Sequence, residues 1–334
     1  MVATLAGGAG FRHDSAALCD DGRVLYVWVD GGNGVYQCHY PGIGDFEAAN
    51  NDAATSATEF HAVLDSTITL VRTTVWRHPT TGEVYLFANY RTSQPAAWGQ
   101  VWRSPSGNGE SAPGTPDWTL QGTMAGPVTT SFVDIGFAAN VGEPLVTGTG
   151  RWVLPSFYPT TWDNNQQGIY TSDDEGAGWT RRLNIGYYAG GHYGYGQGRN
   201  VVDHAGALWM GTNGNVEGPH AAYSSDNGSS WTVYDVPGGV NSGGANPVVA
   251  SGSDAWRLGP PSQAVGGTPL LQIGTDYAGA EAGWTTVADM YAMDGATFNG
   301  AILQRLAPGH DVFLWDGHIL AGRGGWSVGQ VRIA

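Results

Sequence analysis

A short turn ending in glycine, followed at once by a run of apolar residues, recurs six times along this 334-residue chain. The copies read DDGRVLYVWV (Asp20 to Val29), TTGEVYLFANY (Thr80 to Tyr90), GTGRWVLPSFY (Gly148 to Tyr158), HAGALWMGT (His204 to Thr212), GGTPLLQIGT (Gly266 to Thr275) and WDGHILAGRG (Trp315 to Gly324). Each predicts a tight turn feeding a β-strand. The turn residues Gly22, Gly82, Gly150, Gly206, Gly267 and Gly317 lie 60, 68, 56, 61 and 50 residues apart, the length of four strands with their loops. No segment has the spacing of a long amphipathic helix.

A second pattern, Ser-x-Asp-x-Gly-x-x-Trp-Thr, is written twice at an interval of 52 residues, as Ser172 to Thr180 (SDDEGAGWT) and Ser224 to Thr232 (SSDNGSSWT). Each copy follows an aromatic that would end a strand, Tyr170 or Tyr223, and reads as a hairpin turn. The residue types suit that job: Ser and Asp side chains hydrogen-bond turn backbone, Gly takes a positive φ, and Trp folds back over the hairpin. Ser172, Asp174, Gly176 and Trp179, and their counterparts Ser224, Asp226, Gly228 and Trp231, are therefore structural, and the two Asp serve the turn rather than catalysis. The Trp-Thr pair alone extends the series to Trp118, Trp179, Trp231 and Trp284, at intervals of 61, 52 and 53 residues, with the outer two copies eroded.

This pattern resembles the Asp-box of the sialidase-like, or BNR-repeat, propellers. The resemblance implies an all-β fold, a six-bladed β-propeller of four-stranded antiparallel blades, in one domain over residues 1–334. An open propeller would expose unpaired strand edges, so the segment VATLA is expected beside Gly329 to Ala334, closing the ring. Ala48 to Thr58 and Ser104 to Pro116 are expected to be long exposed loops.

Composition agrees with many short strands and tight turns: 53 Gly, 14 Trp, 15 Tyr and only 13% charged residues. The formal charge of −15 repels phosphate backbones and argues against a nucleic-acid partner. All 14 basic residues are Arg, a bias expected of a genome rich in G and C. Cys19 and Cys38 flank the first hairpin and are either a disulfide or two buried thiols. The start MVATLAGGAGF lacks the basic and apolar regions of a signal peptide, and no stretch reaches the ~20 apolar residues of a membrane span.

Phe11-Arg12, with the strand that follows and then Asp21-Gly22-Arg23-Val24-Leu25, resembles the family's Phe-Arg-Ile-Pro strand and its successor. In the family that Arg is one of three gripping a substrate carboxylate, a task suited to a planar guanidinium, so the resemblance makes Arg12 the leading site residue. Elsewhere the chain departs from the pattern. The family places an Asn-Glu pair before the Val-Val of its fourth blade, where Glu activates a Tyr nucleophile; here the sequence is Gln197-Gly198-Arg199-Asn200-Val201-Val202. The general-acid Asp would fall near Tyr36 and Gln37, where no carboxylate stands, and Gly211 to Asn215 replaces a second triad Arg. Without acid or base, ordinary sialidase chemistry is not expected.

The resemblance also places ligands near the central axis, on the face where the innermost strands begin. The ligand-binding candidates are Arg12, His13, Asp14, Arg72, Trp76, His192, Tyr195 and Arg199, with Asp134, Gln197, Asn246, His310 and Asp311 at like positions. Such a polar and aromatic mixture suits a sugar. Within GGHYGYGQGRN, His192 with Tyr193 or Tyr195 offers the base and acid of a polysaccharide lyase, while Arg12, Arg72 or Arg199 neutralises a uronate. Equally, the glycines there let aromatics pack around the axis, and Arg199 pairs with an acidic neighbour. His13-Asp14 has no third ligand at a zinc-like spacing, and no metal or other cofactor is expected. Asn227-Gly228-Ser229 matches a glycosylation sequon but lies inside a structural turn.

Two function classes remain. One is a carbohydrate-binding, host-recognition module resembling a phage minor tail protein, on a virion tail or outside the cell, with a glycan or cell-envelope polysaccharide and neighbouring tail proteins as partners. The other is a glycan-cleaving enzyme, a divergent glycoside hydrolase or a polysaccharide lyase. Neither involves nucleic acid or membrane insertion.

Overall fold

The computed structural model describes residues 2–5, 15–28, 34–42, 45, 60–64, 69–91, 99–124, 139–140, 144–161, 164–185, 201–211, 220–235, 246–251, 254–259, 270–277, 283–289, 302–305, 312–315 and 326–331. Their strands form five four-stranded antiparallel sheets, one five-stranded sheet and one two-stranded ribbon. The first sheet runs Ser15–Leu18, Val24–Trp28, Gly34–Tyr40, Phe60–Val63, and the second runs Thr69–Arg77, Val84–Arg91, Gly99–Ser104, Thr119–Met124. In the third, Ala139–Asn140 and Leu145–Val146 both pair with Trp152–Thr161, which continues to Asn164–Ser172 and Thr180–Ile185. The fourth holds Val201–His204, Ala207–Gly211, His220–Ser224 and Thr232–Asp235; the fifth holds Asn246–Ser251, Asp254–Gly259, Leu270–Gly274 and Thr285–Asp289. The sixth joins Ile302–Arg305, Val312–Trp315 and Trp326–Val331 to Val2–Leu5 from the start of the chain. That last pairing runs from Val2 opposite Gly329 to Leu5 opposite Trp326, upstream of the Gly329 to Ala334 stretch that the sequence suggests.

The apolar runs after Gly22, Gly82, Gly150 and Gly206 exist because these strands pack between neighbouring sheets, while Gly267 and Gly317 lie outside the described residues. In Val84–Arg91, Val84, Leu86 and Ala88 pack with Leu25, Val27 and Val35 of the first sheet, while Tyr85 and Phe87 pack with Trp152 and Leu154 of the third. The split repeats further along. Val153 faces Leu208 and Met210 of the fourth sheet, and Trp209, one residue out of step, packs with Ala255, Tyr277 and Trp284 toward the fifth. The core is thus a series of seams between consecutive sheets.

The Trp of each Trp-Thr pair sits in the seam facing the preceding sheet: Trp118 between the first and second, Trp179 between the second and third, Trp231 between the third and fourth, and Trp284 between the fourth and fifth. The two full copies of the turn are wired alike. Ser172 Oγ accepts from the Gly176 N–H and donates to Asp174 Oδ1, each at 2.8 Å, and Trp179 Nε1 donates to the Gly176 carbonyl at 2.9 Å. In the second copy, Ser224 Oγ accepts from the Gly228 N–H at 2.8 Å and donates to Asp226 Oδ1 at 2.7 Å, with Trp231 Nε1 donating to the Gly228 carbonyl at 3.1 Å. Gly176 and Gly228 have φ of 86° and 80°, as that wiring requires.

The segment Ser104 to Pro116 departs from its expectation as an exposed loop. It keeps the serine hub, since Ser104 Oγ accepts from the Gly109 N–H at 2.8 Å and donates to Asp117 Oδ1 at 2.7 Å. Between these residues lies the two-stranded ribbon, Glu110–Ala112 with Thr115–Pro116, which docks on the first sheet. Glu110 is buried there against Arg23 Nη1 at 2.6 Å, and Asn108 and Gly109 offer their carbonyls to His39 Nε2 at 2.6 Å and Gln37 Nε2 at 2.9 Å. Cys19 and Cys38 are buried and unbridged, which settles the alternative left by the sequence.

Candidate functional site

Contacts between turns divide the fold into two ends. At one end, Arg151 grips the Asp173 carboxylate through Nε and Nη2 at 2.6 and 3.1 Å and reaches the next sheet through Nη1, to Ser229 Oγ at 2.6 Å and the Asn227 carbonyl at 3.3 Å. Arg77 likewise joins the second sheet to Asp20 of the first, where Gly82 leaves so little space that a Cβ would lie 2.9 Å from Asp20 Oδ1. The turns at Gly22, Gly82 and Gly150 and the serine-hub turns thus share one end. That end is committed to holding consecutive sheets together.

The other end is where the first strand of each sheet begins, at Ser15, Thr69, Ala139, Val201, Asn246 and Ile302. The first strands of neighbouring sheets lie side by side, Ser15–Leu18 against Thr69–Arg77 and Val201–His204 against Asn246–Ser251. Ser15 is buried, and its Oγ accepts the Val75 N–H at 2.7 Å across the first of these junctions. The bond joins the innermost strands of the first and second sheets directly. Arg72 itself pairs with Asn89 just past a register shift, and a matching shift interrupts the fifth sheet between Pro247 and Val249. Bulges near strand starts re-aim the residues beyond them.

Several candidates fall outside the described residues: Arg12, His13, Asp14, Asp134, His192, Tyr193, Tyr195, Gln197, Arg199, His310 and Asp311. Asn246 opens the first strand of the fifth sheet. Trp76 needs correction. It is 5% exposed, in the seam between second and third sheets, with its ring centroid 5.0 Å from that of Trp152 and 5.9 Å from that of Tyr85. Its faces are spent on packing, so no sugar can stack on it. Gln37, near the position expected to hold a general acid, is fully buried between Gly109 and Trp118, whose Nε1 donates to Gln37 Oε1 at 2.7 Å.

Electrostatic tuning among the described residues belongs to the turn end. Burial pushes the Glu110 carboxyl up, but Arg23 and the Gly114 N–H outweigh it and hold it below the ordinary range. Asp226 is drawn down to about 2, chiefly by the Ser230 hydroxyl and N–H. Burial lowers His39 and His78 and drives the Cys19 thiol up to about 12. Among the described residues, no group of three or more His, Cys, Asp or Glu is placed to hold a metal ion, and no helix is long and apolar enough to cross a membrane.

No protein-family model matches the chain, and no curated protein matches it in sequence. Solved structures do match in shape. An α-L-arabinofuranosidase from Fusarium graminearum is 13% identical with a TM-score of 0.54, over 98% of this chain and 96% of that one. A Trypanosoma rangeli sialidase is 12% identical with a TM-score of 0.56; this chain is covered over 98% of its length and spans 57% of the sialidase. A protein of unknown function from Dyadobacter fermentans is 11% identical with a TM-score of 0.55, over 99% and 98% of the two chains. The fold these likenesses define is a sialidase-like β-propeller.

Proposed function

We propose that the chain is a closed, six-bladed Asp-box propeller in one domain, and that it binds a glycan or cell-envelope polysaccharide at the end where the first strands begin. The observation that carries this reading is the division between the two ends. The repeated turns are consumed by clamps between sheets, leaving the strand-start end, where the strand carrying Arg72 begins, for a ligand. Pairing of Val2–Leu5 with Trp326–Val331 supports closure of the ring. In this reading the protein works on a virion tail or otherwise outside the cell, as a host-recognition module beside other tail proteins. Its arginine-only basic set supports a phage of a host rich in G and C.

The test is binding of purified chain to host cell-wall polysaccharide, followed by Arg12→Ala and Arg72→Ala. Loss of binding with an unchanged melting temperature is expected. No retention of any envelope glycan by the parent chain would overturn the proposal.

A second reading, glycan cleavage by His192 with Tyr193 or Tyr195, is favoured by one observation: the arabinofuranosidase matches nearly end to end. Under this reading, reducing ends or unsaturated products absorbing in the ultraviolet are released, and His192→Ala abolishes them while the fold persists. Binding without product rejects it.

A further inference from the structure

Asn-Gly occurs five times in the chain, at Asn33, Asn108, Asn213, Asn227 and Asn299, and the pairs at 108 and 227 both fall in serine-hub turns within the described residues. The other three asparagines lie outside them. In such a pair the backbone nitrogen of the glycine can attack the side chain of the asparagine before it, because no Cβ on the glycine hinders the approach. The nitrogen loses its proton to solvent, its lone pair forms a bond to Cγ, and the Cγ–Nδ2 bond breaks as ammonia departs. Water then opens the cyclic imide at either carbonyl, leaving aspartate or isoaspartate. The only co-reactant is water.

These turns require the glycine. Gly109 and Gly228 have φ of 83° and 80°, and a Cβ would lie 2.9 Å from Leu25 Cδ2 at the first and 3.2 Å from Val153 Cγ2 at the second. Asn227 has φ of 55°, a left-handed conformation in which asparagine is enriched. Turn geometry therefore selects a dipeptide prone to this reaction. Solvent is not kept from it, since Asn227 is exposed and Asn108 half-buried.

What the structure does hold is the peptide unit between the two residues. The Gly228 N–H donates to Ser224 Oγ at 2.8 Å, while the Asn227 carbonyl accepts from Arg151 Nη1 at 3.3 Å. The Gly109 N–H donates to Ser104 Oγ at 2.8 Å, while the Asn108 carbonyl accepts from His39 Nε2 at 2.6 Å. In both turns the N–H is held by the turn's own serine and the carbonyl by a side chain of the preceding sheet. Attack needs that peptide unit to rotate until its nitrogen faces Cγ, and rotation breaks both bonds. The reaction thus waits on a local opening of the seam.

We propose that Asn108 and Asn227 are latent deamidation sites, closed while the neighbouring sheets are clamped together and marked irreversibly when a seam opens. At Asn108 the mark works against reclosure. Its Nδ2 donates to Asp21 Oδ2 at 3.3 Å, and a carboxylate in its place faces Asp21 with like charge. The proposal is independent of the glycan-binding reading.

The folded chain, the chain unfolded in urea, and the Ser104→Ala and Ser224→Ala variants are held in mildly alkaline buffer, and aspartate and isoaspartate at each asparagine are followed by peptide mass spectrometry. Both sites are expected to react at least about tenfold more slowly in the folded parent than in the unfolded chain. Ser224→Ala should accelerate Asn227 alone, and Ser104→Ala should accelerate Asn108 alone. Should a serine variant fail to fold, Arg151→Ala, which keeps the hub and removes the bond to the Asn227 carbonyl, carries the test and is expected to accelerate Asn227 alone. Equal rates in the folded and unfolded parent overturn the proposal. So do unchanged rates in every folded variant, or acceleration of both sites by one variant that remains folded.

Discussion

Trp152 Nε1 donates across the seam between the third and second sheets to His78 Nε2, at 3.2 Å. The N–H groups of Thr80 and Thr81 converge on the other ring nitrogen, Nδ1, at 3.1 Å each. Three donors therefore face one imidazole. A neutral ring accepts at only one of its two nitrogens, so either the Trp152 donor or the Thr80 and Thr81 pair is served by its lone pair, whereas an imidazolium serves neither.

This arrangement gives stability a pH dependence of definite sign. Burial lowers the His78 pKa, and Glu175 and Glu83 only partly oppose it, so the unfolded chain takes up the proton first as pH falls. The stabilisation is complete above the ordinary histidine value of about 6.5 and is lost as pH falls through the lower folded value. His39, also lowered by burial, acts in the same direction. Thermal melts should show the melting temperature falling from about pH 7.5 to about pH 5.5. In His78→Asn, which keeps an acceptor near the Thr80 and Thr81 N–H groups, the fall should be shallower.

Four glycine-to-alanine substitutions separate backbone strain from crowding. At Gly176 the φ is 86° and a Cβ would lie 2.9 Å from the Trp152 ring and 3.3 Å from Val101, so strain and overpacking combine to cost about 2–4 kcal/mol. Gly228, at 80° and 3.2 Å from Val153, should cost somewhat less. At Gly206 the φ is 79° with nothing within 4 Å, leaving strain alone at about 1 kcal/mol. Gly148 has neither a positive φ nor a neighbour, and Gly148→Ala should be neutral or stabilising by up to about 1 kcal/mol. Urea titrations would rank them; equal losses at Gly176 and Gly206 would remove crowding from the account.

The sheets were legible because a left-handed turn residue and a doubly buried strand both leave marks in composition. Gly22, Gly82, Gly150 and Gly206 all have φ between 75° and 84°, and the apolar runs after them fill the seams. Trp76 misled because the sequence puts it at the end where the innermost strands begin, whereas it is the penultimate residue of Thr69–Arg77 and packs between two sheets. Ser104 to Pro116 misled because the acid partner of the serine hub moved 13 residues away, to Asp117, where a fixed-spacing search misses it. The burial of Glu110 depends on Arg23, 87 residues earlier, and no local pattern announces such a partner. Around the end where the first strands begin, the chain departs from the sialidase pattern that its sequence otherwise resembles, and pattern had least to work with there.

Removing a serine hub should be costly even though the turns are at the surface. Ser172, Ser224 and Ser104 are each 1–2% exposed, and each hydroxyl serves a glycine N–H and an Asp carboxylate. Alanine at any of the three leaves a buried N–H unpaired, a loss of about 1–3 kcal/mol. The informative comparison is Ser104→Ala with Ser172→Ala. Similar shifts in urea midpoint would establish the displaced hub as an energetic equal, and a negligible loss at Ser104 would reduce it to a geometric likeness.

Cys19 and Cys38 should behave as inert thiols. Burial drives the Cys19 pKa up to about 12, with Asp21 adding to the rise, so almost no thiolate is present near neutral pH. A colourimetric thiol reagent is expected to react negligibly with the native chain and to find two thiols per chain after denaturation, with or without prior reduction. Detection of two thiols only after reduction would show a disulfide and overturn the assignment.

The placement of Trp76 can be tested against its expected role in binding. A ring at 5% exposure between Tyr85, Phe87 and Trp152 contributes to the seam, and Trp76→Ala should destabilise the fold by about 3–5 kcal/mol. Trp76→Phe keeps an aromatic in the seam, loses less, and should leave affinity for any bound glycan unchanged. Stability and affinity thus part company at this position, whereas substitution of Arg72 should move affinity and spare the melting temperature. If Trp76→Phe weakened glycan binding at full stability, the ring would have to reach the ligand, and its assignment to the seam would fail.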